Sequence, residues 1–281
     1  MTWKPEVEEL RTRRKLAEQM GGAEKVARQH SRGKLDARAR IKGLVDPGSF
    51  REIGKIAGKG HYGPDGELLD LSPSNLVFGR ANIESRPVVA SADDFTVRGG
   101  AADAAIHRKF VQCEQMAHTL KIPLIRMIDG TGGGGSVKTL EDIGATYVPA
   151  TPGWGEIVKN LETVPVVALA LGPTAGLGAA RVVASHYSIM VKGLSQLFAA
   201  GPAVVEAIGE ASDKESLGGS AIHTRNGVVD EEVGSEQEAF ARARRFLSYL
   251  PSHVGQHAPR IANTDPVDRR EQSLIGLVPR E

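Results

Sequence analysis

The sequence predicts an α/β layered domain, on three observations. From residue 83 onward a short apolar strand, a glycine-rich turn and a helical stretch follow one another repeatedly, the pattern of a sheet with helices packed on it. Glycine is in excess, 33 of 281 residues against a typical ~7%, and its densest clusters lie where strands end. The remainder is ordinary: 41% hydrophobic residues, and 35 Lys+Arg against 34 Asp+Glu for a formal charge of +1. That composition excludes a disordered or collagen-like chain and supplies no global attraction to nucleic acid or an anionic membrane.

The elements follow in order. Residues 1–42 carry twelve Lys/Arg beside six acids, so this segment is +6 and the rest of the chain −5. Residues 5–20 read as a helix, Gly21-Gly22 breaks it, a second helix runs to about Arg28, and a third runs from Asp36 into the loop Asp46-Pro47-Gly48. Such a run is either a solvated helical face or a basic arm over a phosphate-bearing ligand. A strand over 86–92 leads into Asp94-Phe95-Thr96-Val97-Arg98-Gly99-Gly100 and then a helix with Ile106, Phe110, Cys113, Ala117 and Leu120 on one face. The second unit is a strand over 122–128, the turn Asp129-Gly130-Thr131-Gly132-Gly133-Gly134-Gly135 and a helical stretch. The third is a strand over 164–171, the turn Gly172-Pro173-Thr174-Ala175-Gly176 and a helix through Ala180 and Val183. A shorter strand over 187–191 precedes Gly201-Pro202 and a helix over 203–209; an acidic helix over 236–250 closes the core. Residues 261–281 show no periodicity and read as a linker.

Cys113 is the single cysteine, which excludes a disulfide framework and zinc sites built on several thiolates, so no metal is expected. Its place on the apolar helix stripe reads as a buried structural thiol. The N-terminus is charged, without an apolar leader, and the longest apolar runs are too short to span a bilayer. The expectation is a cytoplasmic protein with neither membrane nor nucleic acid as partner.

The glycine clusters admit two chemistries. Residues 130–135 satisfy GxGxxG after a strand, but a dinucleotide site also needs an uninterrupted helix and an acid at the end of the next strand. Pro149, Pro152, Gly153 and Gly155 break the connection, and the next strand ends in Leu171-Gly172-Pro173. A P-loop fails because Val137 precedes Lys138. The other use is an oxyanion hole, in which bare backbone N–H groups converge on an oxygen that gains charge. Glycine permits both the backbone angles and the close approach this requires, and turns 130–135 and 172–178 offer two such sources. The structural alternatives are a flexible surface loop for the first and tight helix packing for the second. No catalytic side-chain set accompanies them. His107 adjoins Arg108-Lys109, His118 shares its helix, His186 and His223 read as core hydrogen-bonding groups, and no GxSxG elbow occurs. For enolate chemistry the base would then arrive with a cofactor.

In sequence order, Gly33-Lys34-Leu35, Ala37-Arg38, Arg40-Ile41 and Leu44-Val45-Asp46-Pro47-Gly48-Ser49-Phe50 are followed by Asp94-Phe95-Thr96-Val97 with Gly99-Gly100 and by Gly172-Pro173 with Ala175-Gly176. Then come Phe198, Gly201-Pro202, Leu217-Gly218-Gly219, His223, Gly227-Val228, Asp230, Asp265-Pro266 and Asp268-Arg269. On these the chain resembles the N-terminal half of the carboxyltransferase (β) subunit of biotin-dependent acyl-CoA carboxylases, the propionyl-CoA and methylcrotonyl-CoA carboxylase group. The resemblance implies a crotonase-like ββα superhelix. It divides the chain into a basic helical arm over 1–48, an acyl-CoA-binding domain over 49–262 and a linker over 263–281 towards a C-terminal domain. It implies Gly132 and Gly133 as oxyanion amides, with Gly176 and Gly178 of the second turn as further candidates. Lys34, Arg38, Arg40, Phe95, Thr96, Gly99, Gly100, Gly134 and Ala175 are implied around the acyl-CoA. Departures stand at both turns: glycine, Ser136 and Val137 replace the family's Ala-Arg, Leu177 interrupts a Gly-Gly pair, and Ala180 stands where an aromatic is common.

The resemblance further implies biotin on a separate carrier protein or domain, a coenzyme A thioester substrate, and no metal in this chain. Its partners would be a C-terminal-half chain or domain and a biotin carboxylase or carrier subunit, in a hetero- or homo-oligomer. The expected activity is transfer of CO2 from carboxybiotin to an acyl-CoA. The alternatives are a subunit of a biotin-dependent decarboxylase and a non-catalytic CoA-binding or assembly subunit.

Overall fold

The computed structural model describes residues 2–102, 106–130, 141, 144–145, 153–210, 212–258, 260 and 262–279. Helices α1 (Lys4–Glu18), α2 (Ala23–His30) and α3 (Ala37–Leu44) open the chain. Gly22, at φ 98°, caps α2 after the expected break, and the Asp36 carboxylate caps α3 by accepting from the N–H groups of Arg38 and Ala39. Ala37, Arg40, Ile41 and Leu44 form the buried stripe of α3 at helical spacing. The three apolar members of that stripe belong to the main core.

Among the described residues the central sheet has eight strands: β1 (Arg51–Glu52), β4 (Leu76–Ile83), β5 (Arg86–Asp93), β6 (Leu124–Gly130), β7 (Val166–Ala175), β8 (Tyr187–Val191) and β10 (Glu231–Val233) in the order 1-4-5-6-7-8-10, with β9 (Gln196–Phe198) paired to β7. Strands β4 and β5 are antiparallel, and the pairs from β5 through β8 to β10 are parallel. A separate hairpin joins β2 (Gly58–Tyr62) and β3 (Leu68–Pro73). The sequence reading assigned no strands between residues 49 and 82. On β2 the exposed and half-buried positions never resolve into an apolar face, so the two-residue period that marks a half-buried strand is missing.

Every residue of β6 is buried, as expected of a parallel strand covered on both faces. Period-2 alternation then sorts its side chains. Ile125 and Met127 join Ile41, Leu44, Phe240 and Leu247 on the side of α3 and α10 (Glu236–Ser248). Leu124 packs with Cys113 and Ala117 of α4 (His107–Leu120) on the other side. Ile128 meets Val182 of α6 (Leu177–Val183) on that same side. Helix α5 (Trp154–Thr163) lies beside α4, its Asn160 donating to the Glu114 carbonyl at 3.0 Å. Cys113 is buried as expected, and burial raises its thiol pKa well above the ordinary range. His186 and His223 bond backbone carbonyls, those of Leu161 and Leu197. After α7 (Pro202–Ala207), α8 (Lys214–Gly218) and α9 (Ser220–Arg225), the tail is exposed, with one 3-10 turn at Gln272–Gly276.

Candidate functional site

Three glycine-bearing segments meet where β5, β6 and β7 end. Gly130, at φ 147°, is the hub. A methyl group on Gly100 would stand 2.9 Å from the Gly130 Cα, and one on Gly178 would stand 3.0 Å from the Gly130 carbonyl oxygen. Both are closer than side-chain carbons pack, so glycine is what lets these backbones touch. The first segment is left-handed at three successive residues, Arg98, Gly99 and Gly100. The third turns at Gly176, whose φ of 58° and ψ of −121° only glycine adopts without strain. Arg181 fixes the helix behind that turn, donating to both Asp93 oxygens at 3.2 and 3.0 Å and lying 4.9 Å from the Phe110 ring centroid.

The expected turn at 172–176 is instead mostly strand. β7 continues to Ala175, pairing Thr174 with Gly130 of β6 and with Leu197 of β9. The register shifts between Ile128, opposite Ala170, and Gly130, opposite Thr174. Asp129 therefore faces Leu171, Gly172 and Pro173, a bulge in which a proline without N–H and a glycine without Cβ are tolerated.

Under this junction lies a charge cluster in which all four side chains are buried. Lys34 Nζ donates to Asp129 Oδ1 at 2.7 Å, and Arg40 donates to Asp129 Oδ2 at 2.8 Å, to Glu236 at 3.0 and 2.8 Å, and to the Leu171 carbonyl at 2.8 Å. Burial opposes the Arg40 charge, but Asp129 and Glu236 outweigh it and hold its pKa above the ordinary value. Burial draws the Lys34 pKa down, against the pull of Asp129. Lys34 also stands 4.7 Å from the Phe95 ring centroid.

The predicted site residues thus divide. Gly132, Gly133 and Gly134 lie outside the described residues. Gly99, Gly100, Ala175, Gly176 and Gly178 gather at the junction with Phe95 close by. The Gly176 N–H, expected as an oxyanion donor, is spent on the Phe198 carbonyl at 3.0 Å. Gly178 falls in the first turn of α6, where amides have no acceptor within the helix. Arg40, expected at a CoA phosphate, is fully buried and its guanidinium is committed to Asp129 and Glu236. Lys34 is 7% exposed and committed to Asp129, and Arg38 forks onto Glu52 at 2.9 and 3.2 Å. The Thr96 hydroxyl donates to Asp94 and accepts from the Gly21 N–H at 2.9 Å, tying the α1–α2 joint to this loop.

Other cations line an open cavity, Arg28 among them while it also donates to Glu24 at 2.6 Å. Lys25, Arg28, Arg32 and Arg98 surround a cavity of about 200 Å³ floored by Phe95 and Gly99. Sequence reasoning counted Lys25, Arg28 and Arg32 in the basic arm but singled out Lys34, Arg38 and Arg40 instead. The signal was the spacing of Lys25, Arg28 and Arg32, which puts all three on one side of α2 and the turn after it.

The sequence profile described as "Carboxyl transferase domain" matches residues 28–281. The chain belongs to the carboxyl transferase domain family. It is 30% identical to the propionyl-CoA carboxylase carboxyltransferase subunit of Haloferax mediterranei, covering 99% of this chain and 54% of that protein. It is 31% identical to methylmalonyl-CoA decarboxylase subunit alpha of Veillonella parvula, covering 92% of this chain and 50% of that one. A transcarboxylase 12S structure with methylmalonyl-coenzyme A and methylmalonic acid bound superposes with TM-score 0.77 at 27% identity, over 99% of this chain and 53% of the other. The chain thus has the crotonase-like carboxyltransferase fold, and it spans about half the length of the curated relatives it matches.

Proposed function

We propose that this chain is the acyl-CoA-binding part of a biotin-dependent carboxyltransferase that moves CO2 between carboxybiotin and the carbon next to an acyl-CoA thioester. The carrying observation is the convergence of three glycine segments on Gly130 beside a groove of four cations. In this reading Lys25, Arg28, Arg32 and Arg98 hold the CoA phosphates. The thioester enters along Phe95, Gly99 and Gly100. Its carbonyl oxygen receives backbone N–H groups from Gly132, Gly133 and Gly178, and Gly134 and Ala175 serve acyl-CoA binding, so the enolate is stabilised more than the ground state.

The chain's own chemistry is binding, orientation and charge stabilisation. The Thr96 and Thr174 hydroxyls beside the junction are already spent, on Asp94 and on the Gly172 carbonyl, which suits a base that comes with the second substrate. When bound, carboxybiotin supplies the CO2 and the group that takes the α-proton. It arrives on a carrier from a biotin carboxylase or carrier subunit. In this scheme 1–48 is the arm, 49–262 the acyl-CoA domain, and 263–281 leads to a second domain or chain, within a cytoplasmic oligomer. The Veillonella relative favours a second reading, the same chemistry run as decarboxylation.

Calorimetric titration with CoA and propionyl-CoA, beside a transcarboxylation assay with biotin and the chain supplying the other half, tests both. Micromolar binding with transfer is expected. Release of CO2 from methylmalonyl-CoA without net carboxylation selects the decarboxylase. Binding without turnover in either direction leaves an assembly role, and absence of CoA binding by the assembled complex overturns the proposal.

A further inference from the structure

We propose that Lys34, Arg40, Asp129 and Glu236 form a positioning network that sets the β6–β7 bulge and thereby places Gly130, Gly176 and Gly178 of the thioester site. The inference rests on the acyl-CoA reading above. Four features of the structure carry it.

Alternation along β6 directs Asp129 to the α3/α10 side, where Arg40 of α3 meets it and Glu236, the first residue of α10, holds Arg40 from the other side. Both carboxylate oxygens of Asp129 are claimed, Oδ1 by Lys34 and Oδ2 by Lys34 and Arg40 together, so the end of β6 cannot rotate freely. Arg40 also holds the Leu171 carbonyl at 2.8 Å, the β7 residue at which regular pairing with β6 stops. A methyl group on Gly172 would overlap Asp129 Oδ1 and Lys34 Nζ, so the bulge is shaped around these two charges. From it β7 runs three residues to Gly176, and β6 runs one residue to Gly130.

Buried ion networks seldom add stability over apolar side chains of equal volume. What four interlocked, directional charges do supply is a fixed register. The register fixed here is the one on which Gly130 and Gly178 depend for their contact.

Glu114 and Arg126 provide the control. They form an equally buried pair, at 2.8 Å, from the opposite face of the same strand. In the chain assembled with its complementing half, Asp129→Asn is expected to lower kcat about tenfold or more while KM for propionyl-CoA moves less than about threefold. Glu114→Gln is expected to lower thermal stability and leave kcat within about twofold of the parent. Glu236→Gln keeps the side-chain shape, is expected to fall between the two, and carries the comparison if Asp129→Asn does not fold. Hydrogen exchange reads the same device without catalysis: amides of 172–178 exchange faster in Asp129→Asn and unchanged in Glu114→Gln. Equal kcat losses in the two variants at matched folded fraction, or unaltered exchange over 172–178 in Asp129→Asn, overturns the network. If the parent assembly transfers no CO2, the functional reading fails, and the exchange comparison still decides the network.

Discussion

Lys109 of α4 is 5% exposed, with its Cε against Gly54. Burial, opposed by the attraction of Glu52, brings its pKa down to about 8 from an ordinary 10.5. The protonated amine therefore destabilises the native state in full below about pH 8. That cost is relieved as the pH rises from there towards 10.5, because the unfolded chain then binds a proton that the native chain has released. Lys109→Met is expected to raise stability by about 2–3 kcal/mol at pH 7 and by far less near pH 10, measured by urea unfolding at the two values. Arg40 differs, since its two carboxylate partners more than offset its burial. The sequence reading placed Arg40 at a CoA phosphate, whereas it lies on the buried stripe of α3 with Ala37, Ile41 and Leu44. Its partner Asp129, 89 positions away, was not legible, because nothing local to either residue encodes their meeting.

At the scale of elements, the cores of β5, β6, β7 and β8 were legible because continuous apolar runs report burial on both faces, whereas the buried strand β4 was missed. The observed β8, Tyr187–Val191, has the bounds its apolar run predicts. The end of β7 was not legible. Gly172-Pro173 reads as a turn by residue type, and only the bulge opposite Asp129 lets the strand continue through it. The true turn sits at Gly176, where a side chain would force a strained backbone. Gly176→Ala is expected to cost about 1–3 kcal/mol, seen as a melting temperature lower by several degrees, and to weaken propionyl-CoA binding by shifting Gly178. A variant that melts as the parent does would show that the turn relaxes without strain.

At the scale of the whole molecule, the even charge balance conceals a division of labour within the arm. Arg40 and Lys34 go into the core, while Lys25, Arg28 and Arg32 face the cavity beside Phe95. Composition reports the +6 total but not the partition, which depends on which helix faces turn inward. Phosphate binding at exposed cations is screened by salt, so affinity for propionyl-CoA is expected to fall between 50 and 300 mM NaCl. Arg32→Ala and Lys25→Ala should each weaken binding roughly fivefold, about 1 kcal/mol, and flatten the salt dependence. Arg80→Ala, on β4, should do neither. Titration calorimetry across that salt range is the check.

The sequence by itself determined the α/β class, the cores of the four parallel strands β5 to β8, the basic arm and the glycine clusters at strand ends, because periodicity and backbone permissiveness are properties of neighbouring residues. Only the tertiary structure decided which cations are buried and which are open. It also decided that the Gly176 amide is spent within the sheet, and that Asp129 is held by Lys34 and by Arg40, which Glu236 holds in turn. Those outcomes depend on register and on contacts between distant segments, where burial makes one arginine part of the core and leaves another lining an open cavity.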